Sequence, residues 1–369
     1  MNKTATYLPW LPERTAFAMQ HAREGLYMLD IQLGSACNAM CPRCDSACHG
    51  RNEPADLDLD ALCALASEID YQCFTRHADH LNLPGGRNMG FICGLGEPTA
   101  EPNLRKLKEI LSRTEDDDFS WSIFTNGLCW DEELVDYLRT GRLHIMFQYN
   151  SCRPDLVAKM LGISPERAAE YLSNRVRFQD LAMALSQWHQ ERTGSHLTNI
   201  AASIVPERSN MDEIVALFGQ CLCYDIFPLI GELENAGSAK GNYYEAHRLS
   251  NEELRILREK IEQQYGVKYE TPICPATIGA IHINNRNIVT VDKFTGLSCG
   301  WFGLGEPEVY EIGDIRKKSY DDINRAILDY RESRASAVRA ALNGYPRSVF
   351  GGCGGNAQKL LAEYIALYN

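Results

Sequence analysis

Between residues 25 and 235, short apolar runs alternate with stretches whose apolar residues recur at helical spacing, and loops rich in Gly or Cys follow the runs. The runs fall at 25–34, 88–93, 119–124, 143–149, 199–205 and 223–229, and helices are expected over 57–69, 103–113, 131–139, 166–188 and 211–220. Such alternation prescribes a parallel sheet covered by helices, because a strand returning in the same direction needs a long crossover. Ligands of these sheets sit beyond the carboxyl ends of the strands, where the Gly- and Cys-bearing loops gather. Six strand–helix units suit an α/β fold with a partial (β/α)6 barrel better than a closed eightfold one.

Around this core, 25–235, the chain changes character. Residues 1–24 read as a short leader segment with a helix over 13–24. Residues 236–369 read as a smaller α+β domain. It opens with a linker at 237–242, followed by a charged helix over 251–265 and hairpin strands over 281–291. Further helices are expected over 320–342 and 356–368. With 45% hydrophobic and 23% charged residues the chain is ordinary globular material, not a disordered one. No apolar run approaches the ~18 residues of a membrane span, and the first 25 residues lack the unbroken apolar core of a signal peptide. A net charge of −12 argues against nucleic acid as a partner. The 14 Cys, in a chain without an export signal, point to metal or redox chemistry and not to disulfides.

The densest Cys group, Cys37, Cys41 and Cys44, stands as C-x3-C-x2-C directly after the first strand. Thiolates suit zinc or iron–sulfur clusters. Three sulfurs around a four-iron cubane leave one iron open to a ligand. The spacing also leaves open a closed zinc site with Cys48 as fourth ligand, since structural zinc is normally four-coordinate.

This motif at this place resembles the radical S-adenosylmethionine (SAM) enzymes. The resemblance implies a 4Fe–4S cluster on Cys37, Cys41 and Cys44, with SAM chelated to the fourth iron. It implies reductive cleavage of SAM to a 5′-deoxyadenosyl radical that abstracts a hydrogen atom. It also implies an electron donor such as flavodoxin or ferredoxin. Gly94 and Leu95-Gly96-Glu97-Pro98 stand where the family has Gly-Gly-Glu-Pro, with Leu95 in place of the first Gly. Small residues there admit a ligand to the backbone, and Glu97 offers an anion to the SAM ammonium. Thr125 and Asn126 match a further signature after the third strand, and Ser203 lies where the family places a carboxylate or ribose contact. The residue before the third Cys, usually aromatic and near the adenine, is here Arg43, whose guanidinium can stack on a base.

Cys274, Cys299 and Cys353, each beside Gly or Pro, make the C-terminal region resemble the SPASM/twitch extensions. That implies an auxiliary 4Fe–4S cluster. Asn356 stands where the family pattern places a further Cys and reads first as the N-cap of the last helix, so the fourth ligand stays open between an unfilled iron and Cys221 or Cys223. Cys152, just past a strand end, is placed to return a hydrogen atom to a substrate radical, or simply to pack.

The relatives that mature peptides usually carry a leader-binding module, and only about 25 residues precede the first strand here. The leading expectation is therefore a cytoplasmic radical SAM enzyme acting on a small-molecule natural-product precursor by dehydrogenation or epimerisation. Radical modification of a ribosomally made peptide is the alternative, and a zinc-stabilised binding protein without activity is the third reading.

Overall fold

The structure is a computed structural model that describes residues 5–48, 56–69, 88–115, 119–269, 274–298, 308–342, 349–350 and 366. Cys299, Cys353, Asn356 and the expected helix over 356–368 lie outside the described residues, Ala366 apart.

Six parallel strands follow one another across a single sheet: β1 (Met28–Ile31), β2 (Asn88–Ile92), β3 (Phe119–Thr125), β4 (Leu143–Gln148), β5 (Ile200–Ile204) and β6 (Phe227–Ile230). β4 is buried along its length except at Gln148, as expected of a parallel strand covered on both faces. The covering helices bury narrow stripes. The helix α3 (Asn103–Arg113) turns Leu107, Ile110 and Leu111 inward and leaves its charges outside. Ser164 caps the helix α6 (Pro165–Thr193) at its start, and Gly194, at φ +68°, ends it in the left-handed conformation.

The sheet does not stop at β1. β7 (Ala280–Ile283) adds to it in parallel, then β8 (Ile288–Asp292) and β9 (Val309–Asp314) continue it as antiparallel strands. Among the described residues nine strands thus form one sheet, with β9 and β6 at its edges.

Three local expectations need correction. Residues 223–229 are not all strand: the helix α7 (Ile214–Cys223) runs through Cys223, and β6 begins only at Phe227. A helix α5 (Pro154–Leu161) precedes α6, and its signals were present, Pro154 at the first helical position and Gly162 at the stop. The 237–242 stretch is not an open linker, since it holds a helical turn, Gly237–Ala239, and starts a short helix, Asn242–His247. The N-terminal segment is core material too. Tyr7, Trp10 and Phe17 are all buried, and Thr6–Tyr7 pairs with Leu197–Thr198.

Candidate functional site

Beyond the carboxyl ends of β1–β6 lies a cavity of about 310 Å³. Cys37, Cys41 and Cys44 line it, and so does the buried Cys48. The loop that carries them is tied down on every side. Met40 N donates to Leu161 O at 2.8 Å, Arg167 Nη1 to Asn38 O at 2.6 Å, and Ser238 N to Cys44 O at 2.7 Å. Asn103 Nδ2, at the head of α3, reaches the carbonyls of Gly34 and Ala36, both at 3.1 Å.

The thiols differ in acidity. A hydrogen bond with Cys48 holds the Cys37 thiol below its ordinary value, whereas burial pushes Cys41 up to about 12. Cys44 is raised by its contact with Cys48, 3.7 Å between sulfurs, and by burial. A thiol such as Cys41 surrenders its proton to a coordinating metal and not to water at neutral pH. Among the described residues no group of three or more His, Cys, Asp or Glu side chains is arranged to hold a single ion.

Glu97 is the best-held charge in the cavity. Its carboxylate is 2% exposed. Oε1 accepts from Thr99 N at 2.9 Å, Thr99 Oγ1 at 2.5 Å and Thr125 Oγ1 at 2.7 Å, while Oε2 accepts from Asn126 N at 2.7 Å. Burial still lifts it above the usual carboxylate range, so a cation arriving in the cavity would find it poorly neutralised. Asn126 Nδ2 in turn donates to Asn38 Oδ1 at 2.7 Å, which fastens the turn after β3 to the cysteine loop. Gly94 and Gly96 line the same wall, and Pro98 is buried behind them.

Arg43 lines the cavity with its guanidinium committed at one edge. Nη1 donates to Glu207 Oε1 at 2.8 Å, and Glu207 is fully buried. Ser203 and Gln148, register partners on β5 and β4, line the opposite wall, and Gln148 Oε1 is buried without a hydrogen-bond partner. An orphaned acceptor inside a cavity is what a donor on a bound ligand would satisfy.

Of the C-terminal cysteines, Cys274 lines this same cavity. Cys221 is buried in α7 and Cys223 is exposed at its end, and neither is among the lining residues. Cys152 is also not brought to the cavity, because Glu213 and Gln220 of the α7 region hold it. Glu213 Oε2 accepts from its N–H at 2.8 Å, and Gln220 Oε1 lies 3.6 Å from its Sγ. The geometry therefore gives Cys152 no access to a radical formed there. Sequence reasoning passed over Asp30, Cys93, Gln148, Glu232 and Glu234, all lining residues. The strand-end positions of Cys93 and Gln148 were the available signal.

The rim after β6 is acidic, with Asp45, Glu232 and Glu234. Glu234 is pushed from the ordinary 4.5 up to about 7, by burial first and then by Asp45 and Glu232. The folded chain thus keeps a proton that the unfolded chain loses, so stability from this group is present at low pH. It is lost as pH rises from about 4.5 to about 7. Glu234→Gln should accordingly raise the thermal midpoint above wild type at pH 8, and the difference should vanish at pH 4. Equal midpoints at both pH values would contradict the placement.

No protein-family model and no curated protein matches the chain. Solved structures do match. Streptococcus suis SuiB is 16% identical at a TM-score of 0.51, covering 84% of this chain and 68% of that one. SuiB bound to S-adenosylmethionine is 15% identical at 0.50 and covers 80% of this chain. The match spans only 65% of that SuiB chain, slightly under two thirds. The protein anSMEcpe with bound AdoMet and Cp18Cys peptide is 14% identical at 0.51, covering 92% of this chain and 97% of that one. At such identities the likeness establishes the fold, which is that of the radical SAM enzymes.

Proposed function

We propose that this chain is a radical SAM enzyme that modifies a peptide. The observation that carries the reading is a shared cavity at the carboxyl ends of the strands, which Cys37, Cys41 and Cys44 line together with Glu97, Gln148 and Ser203. These residues fit a cluster with SAM. Three soft donors share one loop, a buried carboxylate stands ready for an ammonium, and an orphaned acceptor awaits a donor. When bound, the cluster supplies the electron that splits SAM to methionine and a 5′-deoxyadenosyl radical, which takes a hydrogen atom from substrate.

The remaining work falls to side chains of the chain. Glu97, fixed by Thr99, Thr125 and Asn126, would hold the SAM ammonium. Gly94 and Gly96 let ligand and backbone approach each other. Arg43, anchored by Glu207, offers a guanidinium face to the adenine, and Ser203 offers a hydroxyl.

A peptide is preferred to the small molecule expected from sequence. The structure of anSMEcpe that covers 92% of this chain carries a peptide together with AdoMet. An auxiliary cluster involving Cys274, Cys299 and Cys353 belongs to the proposal, supported by the Gly or Pro that stands beside each of them. A flavodoxin- or ferredoxin-like donor and a reducing cytoplasm follow from a cluster with an open, oxygen-labile iron. Among the described residues no helix is long and apolar enough to cross a membrane.

Anaerobic purification should give a brown protein with about four irons per chain for one cluster, or about eight with an auxiliary one. SAM and dithionite should then yield 5′-deoxyadenosine. A colourless zinc protein, or reconstituted protein that forms no 5′-deoxyadenosine, would remove the reading. Cys274→Ala should lower only the second set of irons. A peptide encoded beside the gene should change mass on incubation with SAM and reductant in D2O, by loss of hydrogen or by uptake of one non-exchangeable deuterium at carbon, and a peptide unchanged by either measure would return the small-molecule reading to the front.

A further inference from the structure

The floor of the cavity holds an array that only the assembled sheet creates. Asp30 on β1 is 3% exposed and lies in register with Phe91 of β2 on one side and His282 of β7 on the other. Cys93 follows β2 directly, and its N–H donates to Ile31 O at 3.2 Å. The Cys93 thiol donates to Asp30 Oδ1 at 3.1 Å, and His282 Nδ1 meets Asp30 Oδ2 at 2.9 Å. Cys93 and Asp30 both line the cavity that Cys37, Cys41 and Cys44 line. A carboxylate accepting from the thiol favours its protonated form. That form carries the hydrogen atom, and an S–H bond is weaker than the C–H bond a carbon radical makes on taking it.

We propose that Cys93 is a hydrogen-atom donor of the cavity, with Asp30 and His282 as its positioning residues. The inference rests on the radical reading above. In the step, the S–H bond breaks homolytically and a C–H bond forms on the carbon radical, leaving a sulfur radical on Cys93. One electron from the same iron–sulfur or flavin donor that reduces the cluster, and one proton passed from His282 across Asp30, restore the thiol. The consequence for substrate is a return of hydrogen to carbon, the balance required for inversion of a stereocentre and not for net oxidation. Cys152, off the cavity, has no such path.

The first test needs no substrate. The full chain, reconstituted anaerobically, is incubated with SAM and dithionite in D2O, and the deuterium carried per 5′-deoxyadenosine is read by mass spectrometry. Wild type should place deuterium from Cys93 S–D in the product, and Cys93→Ser should lower the deuterated fraction by roughly tenfold or more. Cys63→Ser, a thiol on the helix Leu59–Glu68 outside the cavity, should leave that fraction unchanged. An undeuterated wild-type product, an unchanged fraction in Cys93→Ser, or a loss seen only in Cys274→Ser would overturn the assignment.

The second test uses metal-free full-length protein. Iodoacetamide labelling of Cys93 at neutral pH, mapped by peptide mass, should be about tenfold faster in Asp30→Asn, because removing the adjacent anion frees the thiolate. Labelling of Cys63 in the same sample reports any general loosening. An unchanged Cys93 rate overturns the array whether or not the protein cleaves SAM. Failure of wild type to form 5′-deoxyadenosine alongside a positive labelling result falls on the cofactor reading alone.

Discussion

Replacing any one of Cys37, Cys41 or Cys44 with Ala should leave a folded chain that has lost its cluster and makes 5′-deoxyadenosine at least about a thousandfold more slowly. The magnitude follows from ligand arithmetic. A cubane already one protein ligand short cannot lose another and keep a single open iron for SAM, so binding and reduction fail together. Stability should change little. These side chains border a small satellite core of Ala39, Leu128, Val157, Leu161, Ala168 and Tyr171, and only Cys41 is itself buried in it, at 8% exposure. Removing one sulfur from such a border costs about 1 kcal/mol. Cys48→Ala is the informative companion. It touches Cys44 at 3.7 Å, yet in the cluster reading it is no ligand, so iron content and 5′-deoxyadenosine should persist. If Cys48→Ala empties the site as thoroughly as the other three, the four sulfurs form a closed centre and the open-iron argument fails. Iron content, visible absorption and product chromatography on the four variants together decide it.

Much of this was legible in the chain before any coordinates. The strand–helix alternation carried the fold because each unit repeats a local pattern. α3 was readable from Leu104, Leu107, Ile110 and Leu111 alone, and its observed bounds, Asn103–Arg113, are those expected. Cys37, Cys41, Cys44, Glu97, Thr125, Asn126, Ser203 and Arg43 were singled out by the resemblance to the radical SAM enzymes, and all of them line one cavity because strand ends of a parallel sheet converge. What escaped the sequence is non-local. Nothing in Ala280–Ile283 announces that it pairs with β1, and without that pairing His282 has no relation to Asp30. Cys152 stayed open between hydrogen donor and packing for a similar reason. Its place just past β4 was read correctly, but its neighbours come from α7, some 60 residues later. The acid rim depends on where the turn after β6 folds back over Asp45, a contact that no period in the sequence encodes.

Gly96→Ala should damage both the fold and the site. Gly96 has φ +70°, and a Cβ there would overlap the carbonyl oxygens of Gly34 and Ala36. Both oxygens are backbone, and both already accept from Asn103 Nδ2, so neither can swing aside without breaking the brace between α3 and the cysteine loop. The left-handed conformation costs an L-residue about 1–2 kcal/mol, and forcing a packed backbone apart adds about 1–3 kcal/mol. Gly94 separates the two contributions. Its φ is +87°, but a Cβ there meets only the flexible Gln32 side chain, at 3.3 Å. Gly94→Ala should therefore lose only the conformational part, about 1–2 kcal/mol in chemical denaturation, and Gly96→Ala roughly twice that. The functional consequence should diverge more sharply still. Relief of the overlap in Gly96→Ala moves the loop that bears Cys37 and the strand end that bears Glu97 apart, since Glu97 N donates to Ala36 O at 2.7 Å across the same gap. SAM binding, followed by equilibrium dialysis on the reconstituted chain, should fall by more than about tenfold in Gly96→Ala and by less in Gly94→Ala. Equal losses from the two variants would mean that backbone conformation alone matters here, and that the close approach of the cysteine loop to the Glu97 turn does not build the site.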